Sequence, residues 1–264
     1  MEGKKYLISN GTSISAGGGF EPYDIRKNVR AAYKAKGFEL ADTRIECSFP
    51  HFVSKNLNLE LISLAGEGNS ASKMIRTTYE WIQKNKSKVD QTIFLFEFNL
   101  GLFIDTYVNE YKKYFIINGS VGEDGRIPID IINGWWKPDE EINKELQRKY
   151  QTAAQTYVDN FFNMTEFVKN EKRNIETFLS YCKLNDLDFY YCINFNDYGY
   201  FSLNDKLYGK HLLNDLFDKM DVWQWCIVNK HLISDEIGIT DNHLGYTANI
   251  SIAEKISNHI KSNI

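Results

Sequence analysis

At 264 residues and 43% apolar composition the chain is long enough to bury a full core, and it fits one large domain better than two small ones. Thirty-one Lys and Arg against 35 Asp and Glu leave a formal net charge of −4, which excludes the basic footprint of a nucleic-acid binder or of an anionic-membrane binder. No run approaches the roughly 18 apolar residues of a membrane span, and the opening apolar run is too short for a signal peptide, so a soluble, cytoplasmic protein is expected.

In chain order, Tyr6, Leu7 and Ile8 read as a short buried strand that Asn10, Gly11 and the Gly17-Gly18-Gly19 run bring to an end. Ser13 lies just past that strand's carboxyl end, where open α/β sheets place their ligands, and is the candidate nucleophile. Residues 23–36 carry Ile25, Val29, Ala32 and Tyr33 at helical spacing, with Gly37 as the stop. A second helix is expected over 50–56 and a second core strand over 59–65, breaking at Gly66-Glu67-Gly68-Asn69-Ser70. Residues 71–83 then place Met74, Ile75, Tyr79 and Ile82 on one helical face. The near-continuous apolar run over 92–96 predicts a strand buried on both faces of a parallel sheet.

Beyond Asn99 the pattern changes. Turn signals at Asn118-Gly119 and Glu123-Asp124-Gly125, with an apolar run over 127–132, predict an inserted hairpin, followed by Trp135 and Trp136. Those tryptophans are either a flat sugar-stacking surface or part of a core or cap. Residues 139–182 read as largely helical, with Phe167, Ile175, Phe178, Leu179 and Cys182 as an apolar stripe. A core strand is expected over 188–194, loop and short helix over 195–220, and a further strand or buried segment over 222–228. The C-terminal helix, over 247–260, sets Ile250, Ala253, Ile256 and Ile260 on one face. Cys47, Cys182, Cys192 and Cys226 are scattered among apolar neighbours without metal-ligand spacing and read as buried free thiols.

The two ends of the chain together resemble the SGNH/GDSL hydrolase family. Gly11-Thr12-Ser13-Ile14-Ser15-Ala16-Gly17 is similar to its first block, Gly-Asp-Ser-Leu-x-x-Gly, and Leu64-Ala65-Gly66-Glu67-Gly68-Asn69-Ser70 to its second, preceded by a family-like Ser48-Phe49-Pro50. Glu97-Phe98-Asn99-Leu100 stands where the family has Gly-x-Asn-Asp and shares only the asparagine. Asp241-Asn242-His243-Leu244, followed by Gly245, is similar to the last block, with Asp-x-His in place of Asp-x-x-His.

The resemblance implies a three-layer α/β/α sandwich with a mostly parallel, flavodoxin-like central sheet. It would be a single domain over 1–264 with a helical and hairpin insertion around 101–165. It also implies a serine hydrolase that cleaves a small acyl ester, by family habit an O-acetyl group on a carbohydrate, with no cofactor and no metal. Ser13 would be the nucleophile, His243 the base and Asp241 its orienter. The oxyanion donors would be the amides of Ser13 and Gly68 and the Asn99 side chain. Gly68 is read alternatively as a turn glycine alone, and Asn99 as a loop cap. Thr12 in place of the first-block aspartate is expected to weaken the bonding that orders the loop, and Glu97 to narrow or recharge the pocket. Both departures leave open a catalytically silent binding or assembly protein of the same fold. His51, His211, His231 and His259 lack a nearby acidic partner in such a loop and read as surface or satisfied histidines.

Overall fold

A computed structural model of the chain describes residues 3–21, 27–66, 68–99, 102–108, 113–119, 129–132, 144–194 and 209–263. The elements follow the order β1 (Tyr6–Asn10), α1 (Lys27–Ala35), α2 (Phe49–Leu57), β2 (Glu60–Ser63), α3 (Ala71–Lys84) and β3 (Thr92–Asn99). Then come β4 (Leu102–Val108), β5 (Lys113–Gly119), β6 (Ile129–Ile132), α4 (Lys144–Phe161), α5 (Met164–Leu184) and β7 (Asp188–Asn194). Three helices close the chain, α6 (Val222–Val228), α7 (Ile233–Ile237) and α8 (Tyr246–Asn263).

Four strands form an all-parallel sheet in the order β2-β1-β3-β7, with Tyr6 in register with both Glu60 and Thr92, and Asn99 with Asn194. Alternation along the strands divides the apolar side chains between two faces, as the twofold period of a strand requires. Leu7, Ile93, Leu95, Tyr190 and Cys192 pack with α2, α6 and α8. Ile8, Phe94, Phe96, Phe98, Phe189, Tyr191 and Ile193 pack with α3 and α5. Helices thus cover both faces, which is why the core strands read as unbroken apolar runs. A separate antiparallel sheet, β4-β5-β6, occupies the region of the expected hairpin, but Asn118 and Gly119, read as a turn, lie within β5 and pair with β4 and β6. Trp135, Trp136, the Glu123–Gly125 turn and residues 195–208 of the loop and short helix expected over 195–220 lie outside the described residues.

Local signals explain the helix ends. Ser70 caps α3 by accepting from the Lys73 amide at 3.0 Å, Asn58 ends α2 in the left-handed region, and Gly37 follows α1 at φ +86°. The segment 222–228 is helix α6, not a strand. Its aromatic and β-branched residues suggested a strand, but Asp221 accepts from the Gln224 amide at 2.7 Å and Val222, Trp225 and Cys226 bury one helical stripe. In α8 the buried face runs through Ala248, Ile252, Ala253, Ile256 and Ile260, with Ile250 only half-buried at its margin. Each fully buried isoleucine there contributes about 1.5–3 kcal/mol. All four cysteines are free and buried, and burial pushes the Cys182 thiol up to about 12. No helix of the described residues is long and apolar enough to cross a membrane.

Candidate active site

In the order β2-β1-β3 the chain reverses its direction of travel across the sheet at β1, and open α/β sheets bind ligands outside the carboxyl ends of the strands at such a point. Ser13 follows β1, Gly68 follows β2 and Asn99 ends β3, so three adjacent strands deliver the three proposed oxyanion residues to one edge. Gly68 has φ +61°, a conformation that glycine adopts without strain. Asn99 is the last residue of β3 and is 2% exposed.

The Ser13 loop is a series of tight turns, with the Ala16 amide bonded to the Thr12 carbonyl at 3.0 Å and the Gly18 amide to the Ser13 carbonyl at 2.6 Å. Ser13 stays partly exposed while its neighbours are buried. Its glycines have a steric reason. A Cβ on Gly18 would stand 2.7 Å from His243 Nε2 and 3.0 Å from Ser13 Cβ, and one on Gly19 would stand 3.1 Å from His243 Cβ. The imidazole therefore lies directly on the loop backbone, bordering the same point as Ser13. No hydrogen bond joins Ser13 Oγ to the ring among the described residues. Catalytic bonds are often loose before substrate arrives and tighten in the complex.

His243 and Asp241 share the segment between α7 and α8. Asp241 Oδ1 accepts from the His243 backbone amide at 2.9 Å and lies 2.8 Å from His243 Nδ1. This is an Asx turn, in which an aspartate bonds the amide two residues on, and it makes an Asp-x-His spacing sufficient to align the pair. A carboxylate only accepts, so a neutral ring carries its proton on Nδ1 and keeps the Nε2 lone pair toward the Ser13 loop. The Asp241 side chain is 6% exposed and that of His243 27%, so the carboxylate is shielded and the ring is reachable. The segment is tied down by the Ile233 amide to the His243 carbonyl at 2.9 Å and the Gly245 amide to the His231 carbonyl at 2.8 Å.

The two departures from the family pattern meet each other. Glu97, 1% exposed, accepts from the Thr12 amide at 3.0 Å, Thr12 Oγ1 at 2.8 Å, Ser15 Oγ at 2.8 Å and Asn194 Nδ2 at 3.0 Å. Thr12 thus does not loosen the loop, contrary to the expectation from sequence, because Glu97 supplies its acceptor. Nor does Glu97 stand in the pocket as an exposed charge. A buried carboxylate is tolerated only when its oxygens are supplied with donors, and these residues supply them. Burial still prevails over those donors and pushes the Glu97 carboxyl above its ordinary range. A Cβ on Gly11 would fall 2.6 Å from the same carboxylate, which explains that glycine.

Other supporting residues escaped the sequence reading. Asn69 Nδ2 and the Gly66 amide both donate to the Gly11 carbonyl, at 3.0 and 3.1 Å, and clamp the loops after β1 and β2 together. The remaining histidines are otherwise employed. His211 Nδ1 is 2.6 Å from the Phe189 carbonyl and His259 Nε2 is 2.7 Å from the Lys210 carbonyl. His51 packs edge-on to Phe52, and His231 packs on Trp225. Among the described residues no group of three His, Cys, Asp or Glu side chains is placed to hold a metal ion. Compared with known proteins, the chain matches no family model and no curated sequence.

Proposed function

We propose that the chain is a serine hydrolase of SGNH type that cleaves a small acyl ester through an acyl-enzyme on Ser13. The observation that carries this reading is the Asp241-oriented imidazole of His243 lying on the glycine-rich loop of Ser13. A serine hydroxyl is a weak nucleophile until a base removes its proton, and an imidazole oriented by a carboxylate is suited to that task. His243 Nε2 takes the Ser13 proton as Oγ bonds to the ester carbonyl carbon. The carbonyl oxygen becomes an oxyanion that the amides of Ser13 and Gly68 and the Asn99 side chain stabilise. Collapse of the intermediate breaks the ester bond, and the leaving alkoxide takes the proton from His243. Water then repeats the sequence, releasing the acid and restoring Ser13.

A fluorophosphonate probe, which phosphonylates an activated serine and spares ordinary ones, tests the reading. The expected result is a single adduct on Ser13 that Ser13→Ala abolishes. A folded parent protein that takes up no label, or takes it elsewhere, would overturn the hydrolase assignment and leave a catalytically silent binding protein of this fold.

A further inference from the structure

We propose that Glu97 is a positioning residue that locks the loop of the nucleophile to the loop of the base, through Asn194 and Trp223. The proposal rests on the hydrolase reading for its catalytic consequence, although the connection itself is a property of the fold. Glu97 holds the Ser13 loop through both oxygens, Oε2 accepting from Ser15 Oγ and Oε1 from Thr12 Oγ1, and Oε1 also accepts from Asn194 Nδ2. Asn194 Oδ1 accepts in turn from the Trp223 amide at 3.0 Å in the first turn of α6. The Trp223 indole Nε1 donates to the Asn242 carbonyl at 3.1 Å, and Asn242 lies between Asp241 and His243.

When Glu97 is ionised the polarity of this chain of bonds is fixed. A carboxylate accepts only, so every group that faces Glu97 must donate. The asparagine amide, with one donor end and one acceptor end, is suited to join a carboxylate to a backbone amide. Thr12, Ser15, Glu97 and Asn194 are buried, so a link broken among them leaves a buried polar group without its partner, whereas the last bond, to the Asn242 carbonyl, is exposed. The Ser13 and His243 loops share no secondary structure, and a misplacement of the order of 1 Å between nucleophile and base costs about a hundredfold in rate. A polar tie between them therefore acts on the rate even though none of its members reaches a substrate.

Glu97→Gln keeps the volume of the side chain but turns one acceptor into a donor, so it breaks one end of the tie. Trp223→Phe removes the indole N–H together with the bulk of the second ring. Both are compared with the parent chain, singly and together, by the fluorophosphonate labelling rate per folded molecule and by the indole N–H resonances. The expected result is a loss in labelling rate of about tenfold or more for Glu97→Gln and a smaller loss for Trp223→Phe, with the double variant hardly below Glu97→Gln alone. Glu97→Gln should also move the Trp223 indole resonance, which Trp223→Phe identifies by its disappearance, and leave that of Trp81 in place. An unmoved Trp223 resonance, an unchanged labelling rate, or losses that multiply in the double variant would each overturn the proposal. If the parent takes no label on Ser13, the hydrolase reading has failed, and the Trp223 resonance alone decides whether Glu97 ties the two loops. If Glu97→Gln does not fold, Asn194→Asp, which cannot donate to Glu97, takes its place in the same comparison.

Discussion

The two ends of the parallel sheet hold similar residue types and use them differently. At the carboxyl end Thr12, Ser15, Glu97, Asn99, Asn194 and Asp241 are all buried, and His243 turns Nδ1 to a shielded carboxylate. At the amino end of β7, an open hollow of about 370 Å³ is lined by Lys183, Asp186, Asp188, Lys210 and His211. There Asp188 pairs with Lys4 at 3.6 Å, while the His211 ring stacks on Phe189 at 4.2 Å and is held by a backbone carbonyl. The same chemical groups lie together at both ends. What differs is whether a carboxylate is withdrawn from water and aimed at the imidazole, which is the condition for the ring to act as a base.

The sharpest way to break that comparison is to remove each histidine. Ser13→Ala and His243→Ala should each lower hydrolysis of p-nitrophenyl acetate by about 10⁴- to 10⁶-fold, with the double variant no worse, because members of one catalytic unit do not add. His211→Ala should leave the rate per folded molecule nearly unchanged, and an equal loss there would erase the distinction between the two ends.

A smaller effect is expected at Asn99. If its amide meets the oxyanion, Asn99→Ala lowers the acylation rate by about 10²- to 10³-fold, or about 2.7–4 kcal/mol, with little change in substrate affinity. Single-turnover acylation and melting temperature on one preparation separate this from a structural role, since a merely structural asparagine would lower the melting temperature and spare the rate.

The smallest effect concerns pH. Because burial raises the Glu97 carboxyl above its unfolded value, the unfolded chain loses its proton first as pH rises, and the folded state holds more protons. Its contribution to stability is therefore greatest below the ordinary carboxylate range and declines as pH rises toward the folded value. Urea midpoints of parent and Glu97→Gln, followed from about pH 4.5 to 8, should show a decline in the parent that the variant lacks. Parallel profiles would mean that the donors around Glu97 cancel the effect of burial.

Much of the fold is legible without coordinates. The strands at Tyr6–Asn10, Thr92–Asn99 and Asp188–Asn194 and the helices at Ala71–Lys84 and Tyr246–Asn263 follow from apolar runs and helical periodicity, which are local properties. Over 222–228 the composition leaves a strand or a buried segment open, because seven residues are too few to separate strand from helix; the segment is buried, and the capping bond of Asp221 makes it a helix. The sequence by itself also singled out the candidate site residues, Ser13 in a glycine-rich turn and Asp241 two residues before His243. Only the tertiary structure decided what Glu97 does. Read along the chain it is an acidic residue where the family has glycine, and its partners Thr12 and Asn194 are 85 and 97 residues away. The parallel register of β1, β3 and β7 brings them together, and a bond made by strand pairing has no local signature, because either partner alone is only a polar residue at the end of an apolar run.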